Sequence, residues 1–156
     1  MTEPTAVSAL FEAHLTVSDI DRAIAFYRDV VGLQMGLHDP DLGAAFFWIG
    51  ALGRSMLGLW GAGPAPMAVS MHVAFAASVG DVLDAPSRLR RLGVTPLSFH
   101  AEETSEPSVI GWMPAAAVYF RDPDGHLLEL LAMLDAAPDP DRRILTWSDW
   151  SARDSR

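Results

Sequence analysis

The chain has 156 residues, half of them hydrophobic, with a formal net charge of −9, no lysine and no cysteine. This composition lacks the basic face that binds nucleic acid or an anionic membrane, and it excludes disulfides, thiolate metal sites and a cysteine nucleophile. No apolar run approaches the roughly 20 residues of a membrane-spanning helix, and the first residues do not resemble a secretory signal. We therefore expect a cytoplasmic protein whose partner is a small molecule or another protein.

The first predicted strand lies in the segment ALFEAHLTV, where apolar residues alternate with polar ones. Glu12, His14 and Thr16 share one face of this strand, and the apolar residues share the other. A helix is predicted to begin at 18–19 and to end at Gly32, where a left-handed C-terminal cap favours glycine. Three short strands are predicted next, at 34–38, 44–49 and 55–60. The Gly- and Pro-rich segment GAGPAP that follows them is predicted to be a linker.

The same pattern recurs after the linker. The segment VSMHVAFAA predicts a strand with His72 near its middle, and the helix that follows is predicted to end at Gly93. Pro86 is expected near the first turn of this helix, because only there is a missing N–H tolerated. Three more strands are predicted, at 95–100, 115–121 and 126–133. The last two are joined by a turn at RDPDGH.

The order of one strand, one helix and three strands therefore occurs twice. This repetition predicts an α+β fold with two βαβββ modules. The predicted divisions are an N-terminal extension (1–7), module one (8–62), a linker (63–68), module two (69–134) and a C-terminal tail (135–156).

Three polar side chains in this pattern predict a metal site. His14 and His72 each lie on the first strand of a module, and equivalent positions of two modules converge if the modules pack with pseudo-twofold symmetry. Glu129 lies among leucines in the last strand, where a carboxylate is costly to bury unless it is paired or bound to a cation. Two imidazoles and a carboxylate suit Zn, Ni, Mn or Fe(II), so we predict one divalent metal per chain.

Three segments resemble the vicinal oxygen chelate superfamily, which includes glyoxalase I, fosfomycin-resistance thiol transferases, bleomycin-binding proteins and extradiol dioxygenases. They are HLTVSDIDRAIAFYRDVVGL, MHVAF and VYFRDPDGHLLELL, within a match from about Leu10 to Leu134. The resemblance implies two paired βαβββ modules that form a cupped mixed sheet around a divalent metal, with ligands matching His14, His72 and Glu129. It also implies a substrate whose vicinal oxygens bind the metal, which acts as a Lewis acid to stabilise an enolate or oxyanion.

Departures from the motifs of the family narrow the predicted activities. Four-ligand glyoxalases have a further carboxylate where Gly58 stands, so we expect little lactoylglutathione lyase activity, and a glutamate placed there is expected to raise it slightly. Fosfomycin-type transferases match at the substrate-contacting residues Thr16 and Tyr119, but the chain lacks their lysine. An extradiol dioxygenase would need an acid–base histidine and a tyrosine near the metal, for which His100 and Tyr119 are the candidates, although an exposed residue at a strand end is the favoured interpretation of His100. A non-catalytic bleomycin-type binding protein is the alternative from a different class.

Two further predictions concern surfaces. His38 and His126 are expected to face solvent. Trp147 and Trp150 in the tail are three residues apart, as on one face of a helical turn. With the apolar last strand, these tryptophans favour a symmetric homodimer, in which 144–150 pack on the partner chain or over the mouth of the pocket.

Overall fold

The computed structural model describes residues 9–61, 69–139, 141 and 144–152. The chain divides into two compact units, with the boundary between Val69 and Ser70. The predicted N-terminal extension at 1–7 and the predicted linker at 63–68 lie outside the described residues. No helix within the described residues is both long and apolar enough to cross a membrane.

The first unit contains one mixed sheet of four strands, in the order β1-β4-β3-β2. β1 is parallel to β4, and the other pairs are antiparallel. Helix α1 continues as a π-helical segment, and the elements are β1 (Glu12–Val17), α1 (Ile20–Phe26), the π-helical segment (Tyr27–Val31), β2 (Gln34–Asp39), β3 (Ala44–Ile49) and β4 (Ser55–Gly61).

Local sequence explains how β1 and α1 form. Leu15 and Val17 are buried, while His14 lies on the exposed face, which is the predicted alternation. The Asp19 side chain accepts a hydrogen bond from a backbone N–H of the first turn of α1, so it caps the helix. Gly32 has a φ of 84° and ends the helical segment in the left-handed conformation that the sequence predicted. These features direct His14 away from the core of the unit.

The second unit contains a mixed sheet of five strands, in the order β5-β8-β7-β6-β9. β5 is parallel to β8, and all other pairs are antiparallel. The elements are β5 (His72–Ala76), α2 (Val79–Arg91), β6 (Ser108–Ile110), β7 (Ala115–Arg121), β8 (Leu127–Met133), β9 (Ile144–Thr146) and α3 (Trp147–Ser151). An α+β fold with two mixed sheets confirms the predicted fold class.

Helix α2 differs from its prediction at Pro86, which lies in the middle of the helix and not near its first turn. The helix buries one face, which includes Val82, Ala85, Pro86 and Leu89. We attribute the tolerance of Pro86 to this tertiary packing, which offsets the local cost of a proline in a helix. α2 contacts β7 and β8 of the same sheet.

The strand predicted at 95–100 is wrong. Within this segment only Leu97 makes bridges, to Glu103 and to Tyr119. Its backbone folds back locally, because the Ser98 N–H donates to the Glu102 carbonyl at 2.7 Å and the Ala101 N–H donates to the Ser98 carbonyl at 2.9 Å. Ala101 has a φ of 60°, which interrupts an extended chain. The sheet position expected for this segment is taken by β6.

The prediction that His126 faces solvent is also wrong, because its side chain is only 2% exposed. Its ring Nδ1 accepts a hydrogen bond from the backbone N–H of Met71 at 3.1 Å, and its backbone N–H donates to Asp122 Oδ1 at 2.8 Å. His126 therefore ties the β7–β8 turn to the start of β5. His38, in contrast, is exposed as predicted.

The tail forms two elements that the sequence predicted only in part. Trp147 and Trp150 lie on the short helix α3, as their spacing indicated, and both are half-buried. β9 was not predicted, and it pairs with β6 as the edge strand of the second sheet. Ile144 packs against the cluster formed by Ile110, Ala117 and Tyr119. The tail is thus part of the second unit.

Candidate functional site

The candidate site of the second unit is built around Glu129 on β8. Its side chain is 7% exposed, and its partners in the sheet are Tyr119 on β7 and Ala74 on β5. His72 precedes Ala74 by two residues, so the pleat places it on the same face of the sheet. Three neighbouring strands therefore bring an imidazole, a carboxylate and a phenol together.

The polar contacts of Glu129 are incomplete. One oxygen, Oε2, lies 3.0 Å from His72 Nε2. The other oxygen, Oε1, is buried and has no hydrogen-bond partner among the described residues. A buried acceptor without a partner carries a desolvation cost of about 1–3 kcal/mol, and more for a charged group. This oxygen is therefore the position at which a cation or a proton donor would be bound most favourably.

Tyr119 completes the polar end of the site. Burial raises the pKa of its phenol, and the negative charge of the neighbouring Glu129 raises this pKa further. The ring centroid of Tyr119 lies 6.2 Å from that of His72. The raised pKa keeps the phenol protonated at physiological pH, so its O–H can donate a hydrogen bond.

A cavity of about 480 Å³ opens beside these three residues. Phe99, Ile110, Met113 and Leu131 supply most of its apolar wall, and no lysine or arginine of the described residues lines it. Such a cavity, with a few convergent polar groups at one end, has the form of a small-molecule site. Its lining favours an uncharged or weakly charged ligand with a substantial apolar part.

His100 does not lie in this cavity. It is exposed, and it lines a separate depression of about 290 Å³ together with Glu102 and Asp149. Phe99, the preceding residue, is the one that enters the cavity, with its ring 6.1 Å from that of Tyr119 in an edge-to-face arrangement. The loop around Ala101 thus places the aromatic ring in the site and the imidazole outside it.

His14 lies in the first unit within a cluster of its own. Its Nε2 is 3.1 Å from Glu12 Oε1, two residues earlier on the same strand face. Its Nδ1 accepts a hydrogen bond of 2.8 Å from Trp60 Nε1–H. Thr16, the predicted substrate-contacting residue, is exposed on the same face and pairs with Trp60 in the sheet.

Gly58 lies opposite His14, as its partner on β4. A Cβ at this position would lie 3.0 Å from His14 Cδ2 and 3.2 Å from Nε2. A side chain at position 58 therefore requires the His14 ring, which is 46% exposed, to shift by a few tenths of an ångström. The expected slight gain in lyase activity from a glutamate at this position stays a prediction.

The residues of each unit can be compared with what a divalent metal requires. The Nε2–Oε2 separation of His72 and Glu129 is 3.0 Å, about the spacing of two adjacent ligands with bonds near 2.1 Å. With the unpartnered Oε1, this pair could supply two ligands of a metal site. No group of three or more such side chains is assembled among the described residues, and His14 as the third ligand stays a prediction.

Sequence reasoning missed two contributors to these sites. Phe99 was expected within a strand, and only the local fold of its loop turns it into the cavity. Trp60 was not recognised as a partner of His14, because the two residues are 46 positions apart. The parallel pairing of β1 and β4 is what brings them together.

The chain belongs to the Glyoxalase/Bleomycin resistance protein/Dioxygenase superfamily, whose sequence profile matches residues 9–130. This match confirms the resemblance that the sequence motifs indicated. None of the curated proteins matches the chain.

Solved structures support the same fold. An integron cassette protein, HFX_CASS4, from the mobile metagenome of the Halifax Harbour sewage outfall is 26% identical with a TM-score of 0.69, over 81% of this chain and 100% of that chain. A lactoylglutathione lyase from Agrobacterium tumefaciens is 28% identical with a TM-score of 0.63, over 82% and 96% of the two chains. The oxidase ChaP-H2 is 20% identical with a TM-score of 0.64, over 83% and 96%, and shows the fold alone.

Proposed function

We propose that the protein is a metal-dependent enzyme that acts on a small molecule with vicinal oxygens, of the lyase, transferase or dioxygenase type. The observation that carries this proposal is the buried Glu129 carboxylate, which has one oxygen beside His72 and the other without a partner at the end of an apolar cavity. A carboxylate buried in this position destabilises the fold unless a cation or hydrogen bonds compensate its charge.

The residues proposed to hold the divalent metal are His72 and Glu129, with His14 as the predicted third ligand. When bound, the metal would supply Lewis acidity to the oxygens of the substrate. Tyr119, whose phenol is kept protonated by burial and by the Glu129 charge, would donate a hydrogen bond to a substrate oxygen. Phe99 and Met113 would contact the apolar part of the substrate and exclude water from it.

The cavity lining supports a choice of substrate class. A phosphonate dianion is recognised through charge-assisted hydrogen bonds from lysine or arginine, and neither is present in the described lining. We therefore favour an uncharged or singly charged substrate with adjacent hydroxyl or carbonyl oxygens over a phosphonate.

Metal content tests the proposal directly. Elemental analysis after mild purification, followed by titration with Zn, Ni, Mn or Fe(II), is expected to give about one divalent ion per chain. His72→Ala and Glu129→Gln are expected to lose most of the affinity and to stay folded. His38→Ala, which removes an exposed imidazole of the first unit, is the matched control and is expected to bind as the wild type does. A wild-type protein that takes up none of the four ions would refute the proposal.

The alternative is a non-catalytic protein that binds a small molecule, and the size and apolar lining of the cavity favour it as the second candidate. The two functions differ in one measurement. A binder keeps its ligand affinity when His72 or Glu129 is replaced by its isostere and metal is removed, whereas the proposed enzyme loses it.

A further inference from the structure

Trp60 makes an unusual contact with His14. Its indole Nε1–H donates to His14 Nδ1 at 2.8 Å, and the two ring planes are 27° apart with their centroids separated by 5.8 Å. An indole nitrogen is a donor only. The Nδ1 atom of His14 must therefore be unprotonated, and in the neutral ring the proton lies on Nε2. The Nε2 atom lies 3.1 Å from Glu12 Oε1.

The contact with Trp60 requires this orientation of the ring. If the imidazole were turned by 180°, the indole N–H would face the carbon-bound hydrogen of Cδ2, and Trp60 would lose its acceptor. The absence of a side chain at Gly58 gives the ring its space, since a Cβ there would lie 3.0 Å from Cδ2. The hydrogen bond from Trp60 thus defines one tautomer and one orientation of the ring.

We infer that Trp60 is a positioning residue that holds His14 in the Nε2–H tautomer and opposes its use as a metal ligand. Ligation through Nδ1 needs the lone pair that the indole occupies. Ligation through Nε2 moves the proton to Nδ1, where it would face the indole N–H. A neutral imidazole can therefore bind a metal through either nitrogen only after the hydrogen bond to Trp60 is broken.

The first arm of the test is independent of any metal. Nitrogen-15-labelled, metal-free protein at about pH 8.5, well above the usual histidine pKa of about 6.5, is examined by NMR. We expect a scalar coupling across the hydrogen bond between Trp60 Nε1 and His14 Nδ1, with the ring proton on Nε2. Trp60→Phe keeps an aromatic ring and must abolish the coupling. A His14 ring protonated on Nδ1, or a wild type without this coupling, overturns the inference.

The second arm rests on the proposed function and measures Zn affinity by competition with a chelator. Trp60→Phe is expected to bind Zn about five- to tenfold more tightly, because about 1 kcal/mol of hydrogen bonding no longer has to be broken. Trp48→Phe removes an indole N–H from β3, beside Gly36, and is expected to leave the affinity unchanged. Equal Zn affinities of the wild type and Trp60→Phe would overturn the inference that Trp60 opposes metal binding by His14. If no variant binds Zn, the proposed function fails while the NMR arm still decides the role of Trp60.

Discussion

At the scale of single residues, Glu129 combines a structural cost with a proposed role. Its side chain is almost fully buried and only one of its oxygens has a partner among the described residues. Replacing a buried, incompletely paired charge by an apolar side chain of similar size is often neutral or stabilising. Selection for stability alone would thus not favour glutamate at this position.

Glu129→Met tests this conflict between stability and function. We expect the metal-free variant to be more stable than the wild type by about 1–2 kcal/mol, measured by urea denaturation, and to have lost metal binding. Glu102→Met, at an exposed position of the second unit, serves as the control with little change in either quantity. A variant that is clearly less stable without metal would show that Glu129 contributes to the fold itself.

Gly58 offers a second test at the same scale. Gly58→Ala is expected to shift the His14 ring by a few tenths of an ångström and to weaken its hydrogen bond to Trp60, at a cost of about 1 kcal/mol or less, because its Cβ would lie 3.0 Å from His14 Cδ2. Gly80→Ala is the matched control, since the nearest atom to its Cβ is Ser78 Oγ at 3.9 Å. Thermal denaturation and the indole N–H resonance of Trp60 are the measurements. An unchanged Trp60 resonance in Gly58→Ala would contradict the close packing.

At the scale of elements, the C-terminal tail completes the second sheet and supports the cavity. β9 pairs with β6, and Ile144 packs against the cluster that contains Tyr119. The Glu106 carboxylate holds the start of α3, because it accepts hydrogen bonds from Ser148 N–H at 2.7 Å and from Ser148 Oγ at 3.0 Å. The Glu106 side chain, just before β6, therefore adds to the strand pairing that holds the tail.

Glu106→Ala should loosen the tail without unfolding the rest of the second unit. The loss of these partly exposed hydrogen bonds is expected to cost about 1 kcal/mol. It should appear as faster hydrogen exchange of the β9 amides while the β7 and β8 amides keep their protection. Asp84→Ala, which removes an exposed carboxylate from α2, controls for the change in charge. Unchanged exchange in β9 would show that strand pairing alone holds the tail.

At the scale of the whole molecule, the predicted homodimer leads to a measurement of mass. Sedimentation at micromolar concentration is expected to give a dimer, which should bury more than about 1,200 Å² in total. Truncation after Asp139 removes β9 and exposes the edge of β6, so we expect this variant to aggregate or to lose the dimer. A monomeric wild type whose properties survive the truncation would contradict both the dimer and the role of the tail.

The second prediction for the whole molecule concerns which reactions it catalyses poorly. Although the chain is 28% identical to a lactoylglutathione lyase, we expect negligible turnover of the methylglyoxal–glutathione adduct, because Gly58 provides no carboxylate beside His14. Fosfomycin modification should also be weak, since no lysine or arginine lines the described cavity. Lyase turnover comparable to that of a dedicated enzyme, measured at the thioester absorbance, would show that the fourth carboxylate is dispensable here.

The predicted fold was largely recovered because its signals are local. The alternation around His14, the glycine at the end of the first helix and the turn before β8 each depend on neighbouring residues. The failures came from segments whose conformation depends on contacts distant in sequence. The strand expected at 95–100 became a loop, and β9 formed only because β6 offered an unpaired edge.

The sequence by itself determined the family, the α+β class and the two histidines and one glutamate to examine, because hydrophobic periodicity and short motifs are written in consecutive residues. Tertiary structure decided which of these side chains have partners. Strand pairing placed Trp60 on His14 and Tyr119 beside Glu129, and loop geometry placed Phe99 inside the cavity and His100 outside it. Hydrogen bonds and burial depend on distances in space between residues far apart in the chain, and for this reason only the folded molecule defines them.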